Sequence, residues 1–190
     1  MTILQCAKWL RVGLILALVA APFFAQQPIP RPKFEDLHAS AAVGNTGPAQ
    51  GTRFWLDFLK AGGTLQAIRV CTHAEVPVIA SIHFRYQSTG GKSALASIGE
   101  GGTCAPEHIV PAGATLVGFS GVGGWYIDQL RFHFSDNSTS PTYGGTGGDH
   151  EFSVTLRIKD DKHVGRVAGF FGTQDTGKLE SLGLLYWAGA

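Results

Sequence analysis

Six consecutive residues near the C-terminal end, Asp175-Thr-Gly-Lys-Leu-Glu180, put two carboxylates, an amine and a glycine into one short phrase. Asp175 and Glu180 can accept hydrogen bonds from hydroxyls, and the backbone N–H groups of Gly177 and Lys178 can donate them. Thr176 adds a hydroxyl of its own. This is the chemistry of holding a polyhydroxylated ligand, and Lys178 adds a charge suited to an anionic one. A second stretch, Gly44-Asn-Thr-Gly-Pro-Ala-Gln-Gly51, contributes no reactive side chain. Without a Cβ, Gly44 and Gly47 let a ligand approach the backbone closely, although glycine loops more often serve only as turns.

Other polar groups have plainer readings. Gly148-Asp-His-Glu151 gathers two carboxylates and an imidazole, enough for acid–base work or a cation. Alternation already turns Phe152 and Val154 inward, so the stretch reads as a solvated turn leading into a strand. The seven histidines lack metal-ligand spacing and read as surface residues. Gly118-Phe-Ser-Gly121 lacks the spacing of a nucleophile elbow, and no nucleophile, base and orienter can be assembled. The expectation is therefore a protein without catalysis, cofactor or metal, with a hydrolase as the enzymatic alternative. Trp55 lies inside an alternating strand and reads as core. Trp125 follows a glycine turn and Trp187 ends a strand, so each is a candidate platform for a ring-shaped ligand. Asn137-Ser-Thr139 is a glycosylation acceptor in a eukaryotic secretory setting and an ordinary turn elsewhere.

The elements that must position these groups are strands. Candidates are Arg53–Leu59, Leu65–Thr72, Val78–Tyr86, Thr115–Gly121, Ile127–Phe134, Glu151–Ile158, Val164–Phe171 and Leu179–Tyr186. Ile82, Phe84 and Tyr86 alternate with Ser81, His83 and Arg85, and Leu130, Phe132 and Phe134 alternate with Arg131 and His133. Turn clusters such as Ser88-Thr-Gly-Gly91, Gly99-Glu-Gly-Gly102 and Tyr143-Gly-Gly-Thr-Gly-Gly148 separate them. No stretch after the N-terminal region has a useful helical period. An all-β single domain is expected, as a sandwich, a barrel or a prism of small sheets.

The first 25 residues read as an export signal: Lys8 and Arg11 precede an uncharged apolar run from Val12 to Ala25, short of the about 20 residues a membrane span needs. Residues 26–43, with Pro28, Pro30 and Pro32, read as an exposed linker, and 44–190 as the folded domain. The protein is thus expected to be secreted, periplasmic or extracellular, with no membrane span once the signal is cleaved. Export leaves Cys71 and Cys104, either one disulfide or two buried thiols. Outside residues 1–25 there are 13 basic and 14 acidic residues, a formal charge of −1, which implies no nucleic-acid partner.

The order of these pieces resembles the jacalin-related lectin family. The glycine-rich opening is followed by Ile68-Arg-Val-Cys-Thr72 and Val78-Ile-Ala-Ser-Ile-His-Phe-Arg-Tyr86. Then come Val110 to Gly124, Tyr126-Ile-Asp-Gln-Leu-Arg-Phe132, the Tyr143 to Gly148 loop with Phe152, and the Gly169-Phe-Phe-Gly172 to Leu182-Gly183 ending. The resemblance implies a β-prism of three Greek-key four-stranded sheets that binds carbohydrate reversibly. It also implies that the sugar lies between the opening glycines and a Gly-x-x-x-Asp turn in the last hairpin. The matching positions here are Thr176 and Glu180, which depart from that pattern at both ends, with Gly177 and Asp175 as neighbours able to compensate. No processing mark frees a glycine before Gly44 or Gly47, and by resemblance this favours mannose or glucose over galactose. A shallow single site of this kind gains avidity from a homo-oligomer. The alternative is a protein-interaction or structural module on the same scaffold with a degenerate sugar site.

Overall fold

The computed structural model describes residues 37–45, 51–59, 63–156, 158–159, 162–163 and 165–188. The expected signal peptide, most of the expected linker and Gly47 lie outside them. In chain order the strands are β1 (Leu37–Ala39), β2 (Val43–Gly44), β3 (Thr52–Asp57), β4 (Thr64–Thr72), β5 (Ile79–Gln87) and β6 (Ser93–Gly99). Next come β7 (Thr103–Cys104), β8 (His108–Ile109), β9 (Leu116–Gly123), β10 (Ile127–Phe134), β11 (Tyr143–Gly144) and β12 (His150–Thr155). The last four are β13 (Ile158–Lys159), β14 (Lys162–His163), β15 (Gly165–Asp175) and β16 (Lys178–Ala188). No helix among the described residues is long and apolar enough to cross a membrane.

Three antiparallel sheets form the body: β1-β16-β15-β3 with β2 also on β16, β6-β5-β4-β7 with β8 also on β4, and β11-β10-β9-β12. The short pair β13-β14 stands apart. Each sheet sends aromatic rings to a shared axis. Phe170 of β15 stacks on Phe84 of β5 with centroids 4.8 Å apart, and meets Phe119 of β9 and Phe132 of β10 at 6.2 and 6.3 Å. All four are fully buried, and pairs of this kind contribute about 0.5–1.5 kcal/mol each beyond the area they remove from water. The prism expected from the resemblance is the fold observed.

Three details refine or correct the expectation. Leu37–Ala39, expected in the linker, pairs with Leu185–Trp187 of β16, because the edge of that strand offers unpaired backbone groups that a short extended segment can satisfy. Ser40 reinforces the junction, since its Oγ accepts from Leu184 N–H at 2.9 Å. Trp55 is exposed rather than core: β3 turns Phe54 and Leu56 toward the interior and leaves the indole against the Phe171 ring at the surface. Cys71 and Cys104 form a disulfide between facing positions of β4 and β7.

One irregularity recurs in all three sheets. Near the turn end of the long hairpin in each, one residue drops out of register: Ala80 in β5, Asp128 in β10 and Glu180 in β16. Such a bulge bends its strand and re-aims the side chain it carries.

Candidate functional site

The β15–β16 turn is only two residues long. Thr176 and Gly177 have φ of 44° and 71°, and positive values at both central positions are the signature of a I′ hairpin, whose twist matches that of its strands. Gly177 adopts this freely, while Thr176 holds it at the cost of its Cβ. The turn therefore survives the loss of the expected glycine at 176. Asp175 pairs with Lys178 across it, and Thr176 is exposed at the tip. The Lys178 ammonium lies 5.3 Å from the centre of the Tyr126 ring, which brings the β9–β10 turn beside the hairpin.

The opening segment meets this hairpin at the bulge. Gly44 faces Ser181, and Asn45 N–H donates to the Glu180 carbonyl at 2.7 Å. Gly44 must be glycine: its φ is 112°, and a Cβ there would stand 2.4 Å from the Glu180 carbonyl oxygen. Gly51 N–H donates to Glu180 Oε2 at 3.1 Å. The two stretches expected to form one site are thus joined through Glu180 and Ser181.

Glu180 itself differs from expectation. It is only 4% exposed, and part of its carboxylate capacity is spent on Gly51. Burial next to an N–H donor makes it a brace for the opening segment rather than an open acceptor of ligand hydroxyls. The polar groups left at the surface are Asp175, Thr176, the Gly177 backbone and Lys178. Gly51 ends the opening loop that the sequence pointed to, but its bond to Glu180 was not readable there. Sequence reasoning missed Tyr126, which no local pattern marked.

Of the other candidates, Trp125 stands at the β9–β10 tip with 78% of its surface exposed, and Trp187 is half-buried between β1 and β15. His133 is half-buried and bonded to Ser120 Oγ at 2.7 Å; burial, with help from Arg131, holds its pKa below the usual histidine value. Asp149 and His150 approach to 3.3 Å at the surface. Cys71, His83 and Cys104 cluster closely, but both sulfurs are committed to the disulfide.

The arrangement of three sheets, with the opening segment docked on the last hairpin, coincides with a family pattern. The Jacalin-like lectin domain model matches residues 43–185. The chain belongs to that family. The domain resembles a jacalin-related lectin from Ananas comosus at 20% identity and TM-score 0.59, over 81% of this chain and 99% of that one. It resembles the Calystegia sepium agglutinin at 17% identity and TM-score 0.59, over 80% and 97%. It also resembles artocarpin at 15% identity and TM-score 0.57, over 80% and 98%. At these identities the likeness establishes the jacalin-like fold. No curated protein matches the chain in sequence.

Proposed function

We propose that this jacalin-like domain is an exported lectin that binds a mono- or oligosaccharide reversibly at the tip of the β15–β16 hairpin. Binding rather than catalysis is the reading. Asp175 accepts from sugar hydroxyls, the N–H groups of Gly177 and Lys178 donate to sugar oxygens, and Thr176 contributes its hydroxyl. Glu180 acts behind them, its carboxylate and carbonyl holding Gly51 and Asn45 at the hairpin. The observation that carries this is the junction of opening segment and hairpin at Glu180. The Ananas comosus relative is described as mannose binding, and artocarpin as complexed with methyl α-mannose, which supports mannose or glucose here. Export rests on the N-terminal pattern of residues 1–25.

A shallow hairpin site of this size holds a monosaccharide in the millimolar range, about −4 kcal/mol, so several sites or copies would be needed for tight binding to a glycan. Titration of the purified protein with methyl α-mannoside, read by amide chemical shifts, should move Gly177 and Lys178. The combined variant Asp175→Asn, Lys178→Ala should abolish that response without lowering the Tm by more than a few degrees. A glycan array with no bound sugar, together with a silent titration, would leave the protein-interaction reading. That second reading draws on the burial of Glu180 and on exposed Trp55 and Leu95, which are 60% and 76% accessible.

A further inference from the structure

The β6-β5-β4-β7 sheet gathers three metal-binding side chains on the face turned away from the core. Val70, Ile82 and Phe84 point into the core, so their strand neighbours Cys71, Ser81 and His83 point out of it. Cys71 of β4 faces Cys104 of β7 on one side and Ser81 of β5 on the other. The two sulfurs and one imidazole nitrogen lie within 4.8 Å of one another. Cys71 is fully buried, His83 half-buried and Cys104 exposed, so the group is closed beneath and open to water at one edge.

The His83 ring is held at this group by Ser81. Ser81 Oγ lies 3.2 Å from His83 Nε2 and donates to the Gly101 carbonyl at 2.8 Å, which also ties the 99–102 loop to the sheet. Arg69, exposed on β4, faces His83 across the ladder, and a guanidinium in that neighbourhood favours the thiolate form of a cysteine. The two cysteines are kept opposite each other by more than their covalent bond. On one side Thr72 pairs with Thr103, and on the other Ala105 N–H donates to the Val70 carbonyl at 2.9 Å. β8 then continues along the same edge, with Ile68 facing His108.

A tetrahedral zinc site, with Zn–S of about 2.3 Å and Zn–N of about 2.0 Å, sets its donors about 3.5–3.8 Å apart. Once the bridge is broken, rotation about each Cα–Cβ bond lets the sulfurs separate to that spacing, and the imidazole is already in range. We propose that the dithiol form of this protein binds one Zn²⁺ through Cys71 Sγ, Cys104 Sγ and His83, with water in the fourth position on the exposed side. Two molecules of a thiol reductant R–SH exchange with the bridge to give two cysteine thiols and R–S–S–R, and Zn²⁺ then displaces one proton from each thiol. Exchange with R–S–S–R takes back the two protons, restores the bridge and releases the ion. A newly made chain holds its cysteines as thiols until it meets an oxidising compartment, so the metal site precedes the disulfide. It shares no residue with the β15–β16 hairpin.

Anaerobic titration of the reduced chain with Co²⁺, an optical stand-in for Zn²⁺, will test it, with Cys6→Ser removing the remaining thiol. The expected result is one Co²⁺ per chain, with a sulfur-to-cobalt charge-transfer band and the visible bands of a tetrahedral site, all lost on adding one equivalent of Zn²⁺. The oxidised chain should show neither. His83→Ala should weaken the affinity of the reduced chain by roughly tenfold or more, while melting of the oxidised variant stays that of the parent. Zn²⁺ should raise the Tm of the reduced chain, or, where reduction has unfolded it, restore the near-ultraviolet circular dichroism of the oxidised protein. A missing charge-transfer band, an affinity unchanged in His83→Ala, or a reduced chain that Zn²⁺ neither stabilises nor refolds would each overturn the site.

Discussion

In the β15–β16 hairpin the bulge carries a carboxylate that is buried and bonded to Gly51 N–H; in the β9–β10 hairpin the equivalent carboxylate is half-open and bonded to nothing among the described residues. The backbone is the same in both: a two-stranded ladder, one residue out of register, and a positive-φ glycine pressed on its carbonyl. The difference lies in the loop that passes over the bulge. The opening segment offers Glu180 an N–H at Gly51, and glutamate has the extra methylene with which to reach it. The 144–149 loop brings glycine backbone up to Asp128 without turning a donor toward it. A repeated scaffold thus decides where a side chain points, and the covering loop decides whether that group is spent on stability or left open. At Ala80 the scaffold remains with neither outcome available.

Perturbing the disulfide should have the largest effect and leave the comparison intact. Cys71 and Cys104 lie 33 residues apart, so the loop-entropy relation gives roughly 3–4 kcal/mol. Urea unfolding with and without reductant should differ by about that amount, with the saccharide response of folded protein unchanged. Glu180→Ala should cost about 2 kcal/mol, because Gly51 N–H loses its partner and a buried side chain is deleted. Glu180→Gln should recover most of this, since an amide oxygen still accepts from Gly51, and hydrogen exchange at Gly51 reports the difference directly. Gly44→Ala and Gly144→Ala should each cost about 1–3 kcal/mol, since both force a Cβ onto a carbonyl at positive φ. Unequal costs by calorimetry would mean that the two junctions are less alike than their geometry.

The smallest change has the opposite sign. Asp128→Asn should leave stability unchanged or raise it at neutral pH, by no more than about 0.5 kcal/mol given solvent screening. Its folded-state pKa is raised, so the contribution of Asp128 is full below the unfolded carboxylate value and is lost as pH rises through the folded one. Glu107 behaves in reverse. The side-chain hydrogen bond from Arg85, at 2.9 and 3.1 Å, holds its pKa down, so its contribution is present above the unfolded value and lost as pH falls through the folded one. Asn and Gln both mimic the protonated carboxyl, so melting of Asp128→Asn and Glu107→Gln should match the parent at the acid end and diverge from it in opposite directions as pH rises, the first variant gaining and the second losing.

Much of the prism is legible in alternation, since Ile82 and Phe84, and Leu130, Phe132 and Phe134, are buried as their spacing requires. β6 was not legible. Its inward residues are Ala94, Ala96 and Ile98 while Leu95 faces water, so a single large inward residue is left to carry the hydrophobic pattern. Nor was β1, three residues whose only reason to be extended is a partner far along the chain. The junction of opening loop and last hairpin was readable from the order of motifs, but the burial of Glu180 was not. Residue type supplies the carboxylate, and only packing puts Gly51 over it. Asp128 hid inside a run that reads as a regular strand, because a bulge leaves no mark in residue type when the flanking alternation resumes on either side.

Strand β16 lies between β15 on one side and β1 and β2 on the other. Ser40 and Leu184, which exchange hydrogen bonds across that seam, are 144 residues apart. During synthesis, residues 37–44 leave the ribosome without the strand they pair with, and stay without it until 178–188 has emerged. The sheet that carries the candidate site is therefore closed by the latest-made strand finding the earliest-made, so a chain interrupted before that point keeps its own first strands unpaired.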